Sequence, residues 1–197
     1  MKSLLAELKT SVLLTFVLAI LLCGAYPLAV WAGAQVLFPG RANGSLIRDR
    51  HGTVRGSTLI GQDFTAPHYF HPRPSAAGSG YDAANSAGTN LGPTSRKLAA
   101  SIQAAIAAYR VENGLADSTP VPADAVTSSA SGLDPDISVA NALLQAGRVA
   151  GARRLDPDRV RRLIHDATRD RDWGVFGEPR VNVLALNLAL DRADPRP

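Results

Sequence analysis

Between Ser11 and Phe38 the chain reads SVLLTFVLAILLCGAYPLAVWAGAQVLF, and no charged residue occurs from Thr10 to Gly40. A helix over residues 11–34 has 24 residues. At about 1.5 Å per residue it rises ~36 Å, enough to cross a hydrocarbon core of ~30 Å. Tyr26 and Trp31 lie towards its far end, where interfacial aromatics are favoured, and Pro27 is expected to kink or end it. Lys2, Lys9 and the terminal amine precede the run, against one acid, Glu7. The positive-inside rule then places the N-terminus in the cytoplasm and everything after Phe38 outside it. The competing reading is a cleaved signal peptide, with Ala32-Gly33-Ala34 as the small-residue site. The apolar run exceeds a normal signal core of about 7–15 residues, which favours a retained anchor. Cys23 could mark a lipoprotein, but Leu22 stands where a small residue is expected, so it reads as an apolar thiol within the membrane.

Outward from the anchor, residues 41–197 supply 157 residues, which suits one globular domain with its own core. The expected division is an anchor over 1–40 and a soluble domain over 41–197. The whole chain is 46% hydrophobic and 19% charged, which excludes bulk disorder. Its net charge of +4 is too mild and too dispersed for a nucleic-acid binder. One cysteine rules out an intramolecular disulfide and any multi-cysteine metal site.

The start of this domain reads as extended. Residues 45–50 and 53–60 flank His51-Gly52, a hairpin signal that leaves His51 in the turn. Pro67, Pro72 and Pro74 forbid both helix and central strand, and residues 76–93 form a long Gly/Ala/Ser/Asn loop. Thr94 is placed to cap a helix over 95–112 with Leu98, Ile102, Ala105, Ile106 and Tyr109 on one face. Residues 116–131 read as a polar connection. A second helix is expected over 137–153, burying Ile137, Ala140, Leu143, Leu144 and Val149, and Asp156-Pro157 opens a third. Residues 173–176 read as a short strand. Residues 181–190 fit both periodicities, and helix is preferred, with Asn182 near its start. The sum is an α+β domain on a single membrane helix.

Motifs for common chemistries are absent. There is no GxxxxGK[ST] phosphate loop, and Lys97 is the only lysine outside the anchor region. There is no GxSxG, HExxH or GxGxxG, and no carboxylate dyad is evident. His68 and His71 are three apart, but prolines flank them and two ligands are too few for a metal site, so they read as packed or surface histidines. The arginines between Arg148 and Arg162 read as helix surface interrupted by Asp156 and Asp158, and His165 lies on a solvated face. No catalytic residue and no metal site is therefore assigned. Tyr69, Arg73, Tyr81 and Asn90, in the Pro-rich and Asn-rich loops, are expected to be interface or loop-bracing residues. The alternative is that Tyr69 and Phe70 fill the core.

Several segments are specific for a chain without a catalytic signature. They are GSTLIGQ (56–62), YFHPRPSA (69–76), YDAANS (81–86), TNLGPT (89–94), TSSASGLDP (127–135) and VNVL (181–184). Together they resemble the C subunit of the bacterial Kdp-type potassium-transporting ATPase, and the likeness covers nearly the whole chain. One departure is Ser86-Ala87-Gly88-Thr89-Asn90, where the family usually has Gly-Gly-Ser before the Asn.

The resemblance implies a non-catalytic accessory subunit in the bacterial inner membrane. Its implied partners are a channel-like potassium-translocating subunit and a P-type subunit that hydrolyses ATP. ATP and potassium then belong to the complex, with no cofactor of the chain's own. The family is described as a catalytic chaperone that raises ATP affinity. The stretch Leu143-Leu144-Gln145 with Arg148-Val149-Ala150 is compared with an ABC-transporter signature, which implies nucleotide contact at Gln145. The anchor's charge bias puts Gln145 outside the cytoplasm, where a scaffold or a lid over the potassium entrance fits the topology. Asp82, Asp134 and loop carbonyls could offer oxygen ligands to a passing cation. The alternative class is a membrane-anchored or secreted extracytoplasmic binding module unrelated to transport.

Overall fold

The computed structural model describes residues 2–49 and 52–194, so the expected position of His51 lies outside the described residues. Contacts divide the chain into two units, Met1–Leu46 and Ile47–Pro197.

The first unit is one apolar helical rod. Helix α1 (Lys2–Ala19) passes through a π-helical turn (Ile20–Ala25) into α2 (Tyr26–Leu37). Pro27 neither ends the helix nor stands inside a regular α-ladder. It occupies the first turn of α2, where no intrahelical N–H is required, and the preceding turn is widened, with Tyr26 N–H reaching Leu21 O. The span from Ser3 to Leu37 is long and apolar enough to cross a membrane, and none of its hydrophobic window is buried. A short α3 (Pro39–Ala42) follows.

The second unit is α+β, as the sequence indicates. Strands β1 (Leu46–Arg48) and β2 (Val54–Ser57) pair in a two-stranded sheet closed by Asp49 and Thr53. The expected hairpin is present, with shorter strands. The chain then runs without regular structure, except for one 3-10 turn at Ala83–Asn85, to α4 (Arg96–Asn113). Ser95 caps α4, its hydroxyl accepting from Leu98 N–H, so the cap lies one residue beyond the expected Thr94. Gly114 ends α4 in the left-handed conformation.

The polar connection contains a short helix, α5 (Ala123–Val126). Strand β3 (Asp136–Ser138) leads straight into α6 (Val139–Arg153), and α7 (Pro157–Ala167) starts at the Asp156 cap. Strands β4 (Thr168–Arg169) and β5 (Arg180–Asn182) precede α8 (Val183–Ala193), which Asn182 caps. The sheet order is β3-β5-β4, antiparallel throughout, with Val181 facing both Ile137 and Thr168.

Three expectations change. Ile137 belongs to a strand rather than to the second helix, because Ser138 caps that helix and β5 captures the residues before it. The buried face of α6 is Asn141, Ala142, Gln145, Ala146, Val149 and Ala150, whereas Leu143 is 47% exposed and Ala140 is exposed. Residues 173–176 form a tight turn, bridged only between Asp172 and Phe176, rather than a strand. The core gathers Phe70, Ile137, Val149, Val160, Ile164, Val181, Leu186 and Leu190 from the irregular segment, the sheet and α6–α8. Each such aliphatic side chain contributes about 1.5–3 kcal/mol by leaving water.

Candidate functional site

The Pro-rich segment has no strand partner, yet Phe70 is fully buried. Its backbone polar groups must therefore be satisfied by side chains. Two buried amides do this at consecutive residues. Asn187 of α8 accepts from Phe70 N–H at 2.8 Å and donates to Phe70 O at 3.0 Å. Gln145 of α6 accepts from His71 N–H at 2.7 Å and donates to His71 O at 3.0 Å. Arginines of α6 complete the cradle. Arg148 donates to Pro67 O at 2.7 Å and Tyr69 O at 2.9 Å, and Arg153 donates to His68 O at 2.7 Å. The side chains of two helices thus replace a β-ladder along residues 67–71.

Gln145 is 1% exposed and has two further bonds, to Asn141 Oδ1 at 2.8 Å and from Arg148 at 2.8 Å. Asn141 also accepts from the Tyr109 hydroxyl at 2.8 Å and donates to Asp124, which holds Ser138 at the start of α6. Burial, with the Asp124 charge adding to it, pushes the Tyr109 hydroxyl well above its ordinary pKa. Burial lowers the Arg148 pKa, against the opposing pull of Glu112 and Tyr109. The His71 ring lies 2.7 Å from Glu112 through Nδ1 and 3.0 Å from Ala66 O through Nε2, and His68 packs at 4.5 Å against the Tyr69 ring.

The other expected residues separate into groups. Tyr69 is half-buried. Its hydroxyl donates to Asp191 at 3.0 Å, and its ring lies 5.0 Å below the Arg153 guanidinium. Burial first, then the hydrogen bond to Asp191, raises its pKa. Arg73 pairs with Asp134 at 2.7 Å, and the Tyr81 hydroxyl donates to Arg73 O. Ser75 ties this loop to Gly132 O at 2.6 Å and accepts from Tyr81 N–H at 2.9 Å. Burial pushes the Tyr81 hydroxyl up, helped by the Asp63 and Asp134 charges. Tyr81 holds φ at 57° and Asn90 at 53°, and Asn90 is exposed. Asp82 caps the 3-10 turn, and hydrogen bonds from Asn85 and from Ala84 N–H lower its pKa.

Gln145 and Tyr69 therefore meet through Arg148, Arg73 and Tyr81 form a second knot, and Asn90 stands on the exposed loop. A cavity of about 370 Å³ borders His71, Arg73, Tyr81, Tyr109, Glu112 and Gln145. A larger groove of about 740 Å³ lies between the hairpin and α8, with Phe64, Leu184 and Leu188 along it.

Sequence reading missed Asn141 and Asn187, and it took Arg148 and Arg153 for helix surface although both turn inward. The Arg153 side chain is 0% exposed and pairs with Asp191 at 2.6 Å, so it is no surface residue. The available signal was a polar residue inside an apolar stripe, as with Asn187 in LALNLAL, but a stripe does not name its partner.

The family model described as K+-transporting ATPase, c chain matches residues 8–192. A potassium-transporting ATPase KdpC subunit of Mycobacterium tuberculosis (strain ATCC 25618 / H37Rv) is 59% identical over 167 residues, covering 85% of this chain and 88% of the relative. The subunit of the same name from Caulobacter vibrioides (strain NA1000 / CB15N) is 54% identical over 192 residues, covering 97% and 95%. That of Myxococcus xanthus is 56% identical over 188 residues, covering 95% and 87%.

Proposed function

The chain belongs to the K+-transporting ATPase c-chain family, and from that premise we propose that it is a non-hydrolysing accessory subunit of a potassium uptake complex. Its apolar N-terminal helix anchors it in the bacterial inner membrane, with Lys2 and Lys9 cytoplasmic and the α+β unit outside. There it assists assembly of the channel-like potassium-translocating subunit with the ATP-hydrolysing P-type subunit. It raises the latter's affinity for ATP through protein contacts transmitted across the complex. A scaffold or lid at the external potassium entrance is the form this takes.

One observation carries the reading. Gln145, the residue that the family resemblance links to nucleotide, commits its amide to four partners inside the domain. A nucleotide would have to displace those bonds, whereas a braced scaffold uses all of them. Tyr69, Arg73 and Tyr81 likewise hold loops in the shape that a partner meets, and Asn90 presents its side chain on the exposed loop.

The test is purification of the tagged full chain from its native membrane in mild detergent, with partners identified by mass. The channel-like and ATP-hydrolysing subunits are expected. If neither is recovered, the assembly role is wrong and a free-standing binding module takes its place. Protease added to intact spheroplasts is expected to digest the 41–197 domain, and full protection overturns the topology.

A further inference from the structure

The turn after β4 projects an apolar knob that the domain core does not use. Trp173 is 91% exposed, Val175 70% and Phe176 62%. The Trp173 and Phe176 rings pack edge to face, with centroids 6.0 Å apart at 71°. Asp172 N–H and Phe176 N–H bond each other's carbonyls at 2.8 and 3.0 Å, which closes the turn.

The turn's chemistry sets this knob apart from a stray surface aromatic. Trp173 and Gly174 both take positive φ, 55° and 76°, and Val175 N–H returns to Asp172 O at 3.3 Å. That is the geometry of a type I′ turn, whose first central position favours Asn, Asp or Gly. A bulky aromatic held in the left-handed region and aimed at solvent is an outlier on two counts, and such strain concentrates where a chain binds something. The knob is also braced from below. Arg171 pairs with Glu178 at 2.6 Å, and Arg180 pairs with Asp172 at 3.1 Å and with Asp136 of β3 at 3.3 Å. A rigid aromatic anchor loses little freedom on docking.

The collar around the knob indicates what covers it. Arg169, Arg171 and Arg180 are balanced by Asp170, Asp172 and Glu178. A knob that enters a bilayer carries Lys and Arg without acids, because anionic headgroups repel carboxylates. A charge-neutral ring of paired side chains around an aromatic centre is instead the anatomy of a protein contact. We propose that the Trp173–Phe176 knob is a docking plug that inserts into an apolar socket on another subunit of the potassium-transporting ATPase. This rests on the assembly role proposed above and names the element that performs it.

The test compares the full chain with Trp173→Asn and with Trp173→Asn/Phe176→Ser, each purified with the complex in mild detergent. Asn suits the left-handed position, so the variants are expected to melt no lower than the parent chain. Recovery of the other subunits is expected to fall about 30-fold or more, the loss typical of an interface hot spot. Unchanged recovery with both variants overturns the plug while leaving the assembly role standing. A parent chain that brings down no ATPase subunit overturns both. In a Trp31→Phe background, which leaves Trp173 as this chain's only tryptophan, its emission is read from the chain alone in lipid vesicles and is expected to escape quenching by brominated phospholipid. Quenching by brominated phospholipid in vesicles assigns the knob to lipid and refutes the proposal. Homodimers of the chain alone that vanish in the variants assign it to a second copy and refute it equally.

Discussion

Replacing Gln145 by Ala separates a brace from a nucleotide contact. The substitution removes four hydrogen bonds and leaves His71 N–H and His71 O without their partner. A buried backbone group left unpaired costs about 1–3 kcal/mol. The cavity beside Gln145 lets water reach part of the site, which favours the lower half of that range for each group. Asn141 and Arg148 keep other partners and add less. The expected loss is therefore about 3–4 kcal/mol in all. For a unit of this size that lowers the melting temperature by roughly 6–16 °C.

The assay is a circular-dichroism melt of the full chain in detergent. Gln145→Glu sharpens it. A carboxylate still accepts from His71 N–H and Arg148 but cannot donate to His71 O or Asn141 Oδ1. The Glu variant is expected to be destabilised as well, because His71 O and Asn141 Oδ1 lose their donor and face a carboxylate instead. A Gln145→Ala melt within about 3 °C of the parent, or about 1 kcal/mol, refutes the bracing argument.

Two other outcomes follow from the packing and the titrating groups. Tyr109 has a raised folded-state pKa, so its contribution is fully present below the unfolded value near 10. Above that pH the unfolded chain ionises while the folded one resists, and stability falls by about 1.4 kcal/mol per pH unit. Tyr69 and Tyr81 are raised in the same direction and keep their own shares, so Tyr109→Phe is expected to reduce the total slope above about pH 10 without abolishing it, and an unaltered slope refutes the assignment. Leu186→Ala empties a fully buried position between α8 and its neighbours and is expected to cost about 2–5 kcal/mol, read from the urea midpoint at constant m-value.

The sequence by itself determined the long apolar N-terminal helix, the α+β class, the helices α4, α6, α7 and α8 and the family. These rest on local signals: an uncharged run from Thr10 to Gly40, caps at Asp156 and Asn182, and motifs contiguous along the chain. Only the tertiary structure decided which face of α6 is buried. Leu143 looked like core and Gln145 was not among the expected core residues, because periodicity ranks residues by their own hydrophobicity. The face that packs inward must instead answer the bare backbone of residues 67–71, which lies 74 positions away from Gln145 at His71. Arg153, charged yet wholly enclosed, follows the same rule, since Asp191 and His68 O reach it only once α8 and the Pro-rich segment have closed around α6. Polar burial depends on which partners arrive, and long-range partners are a property of the folded chain.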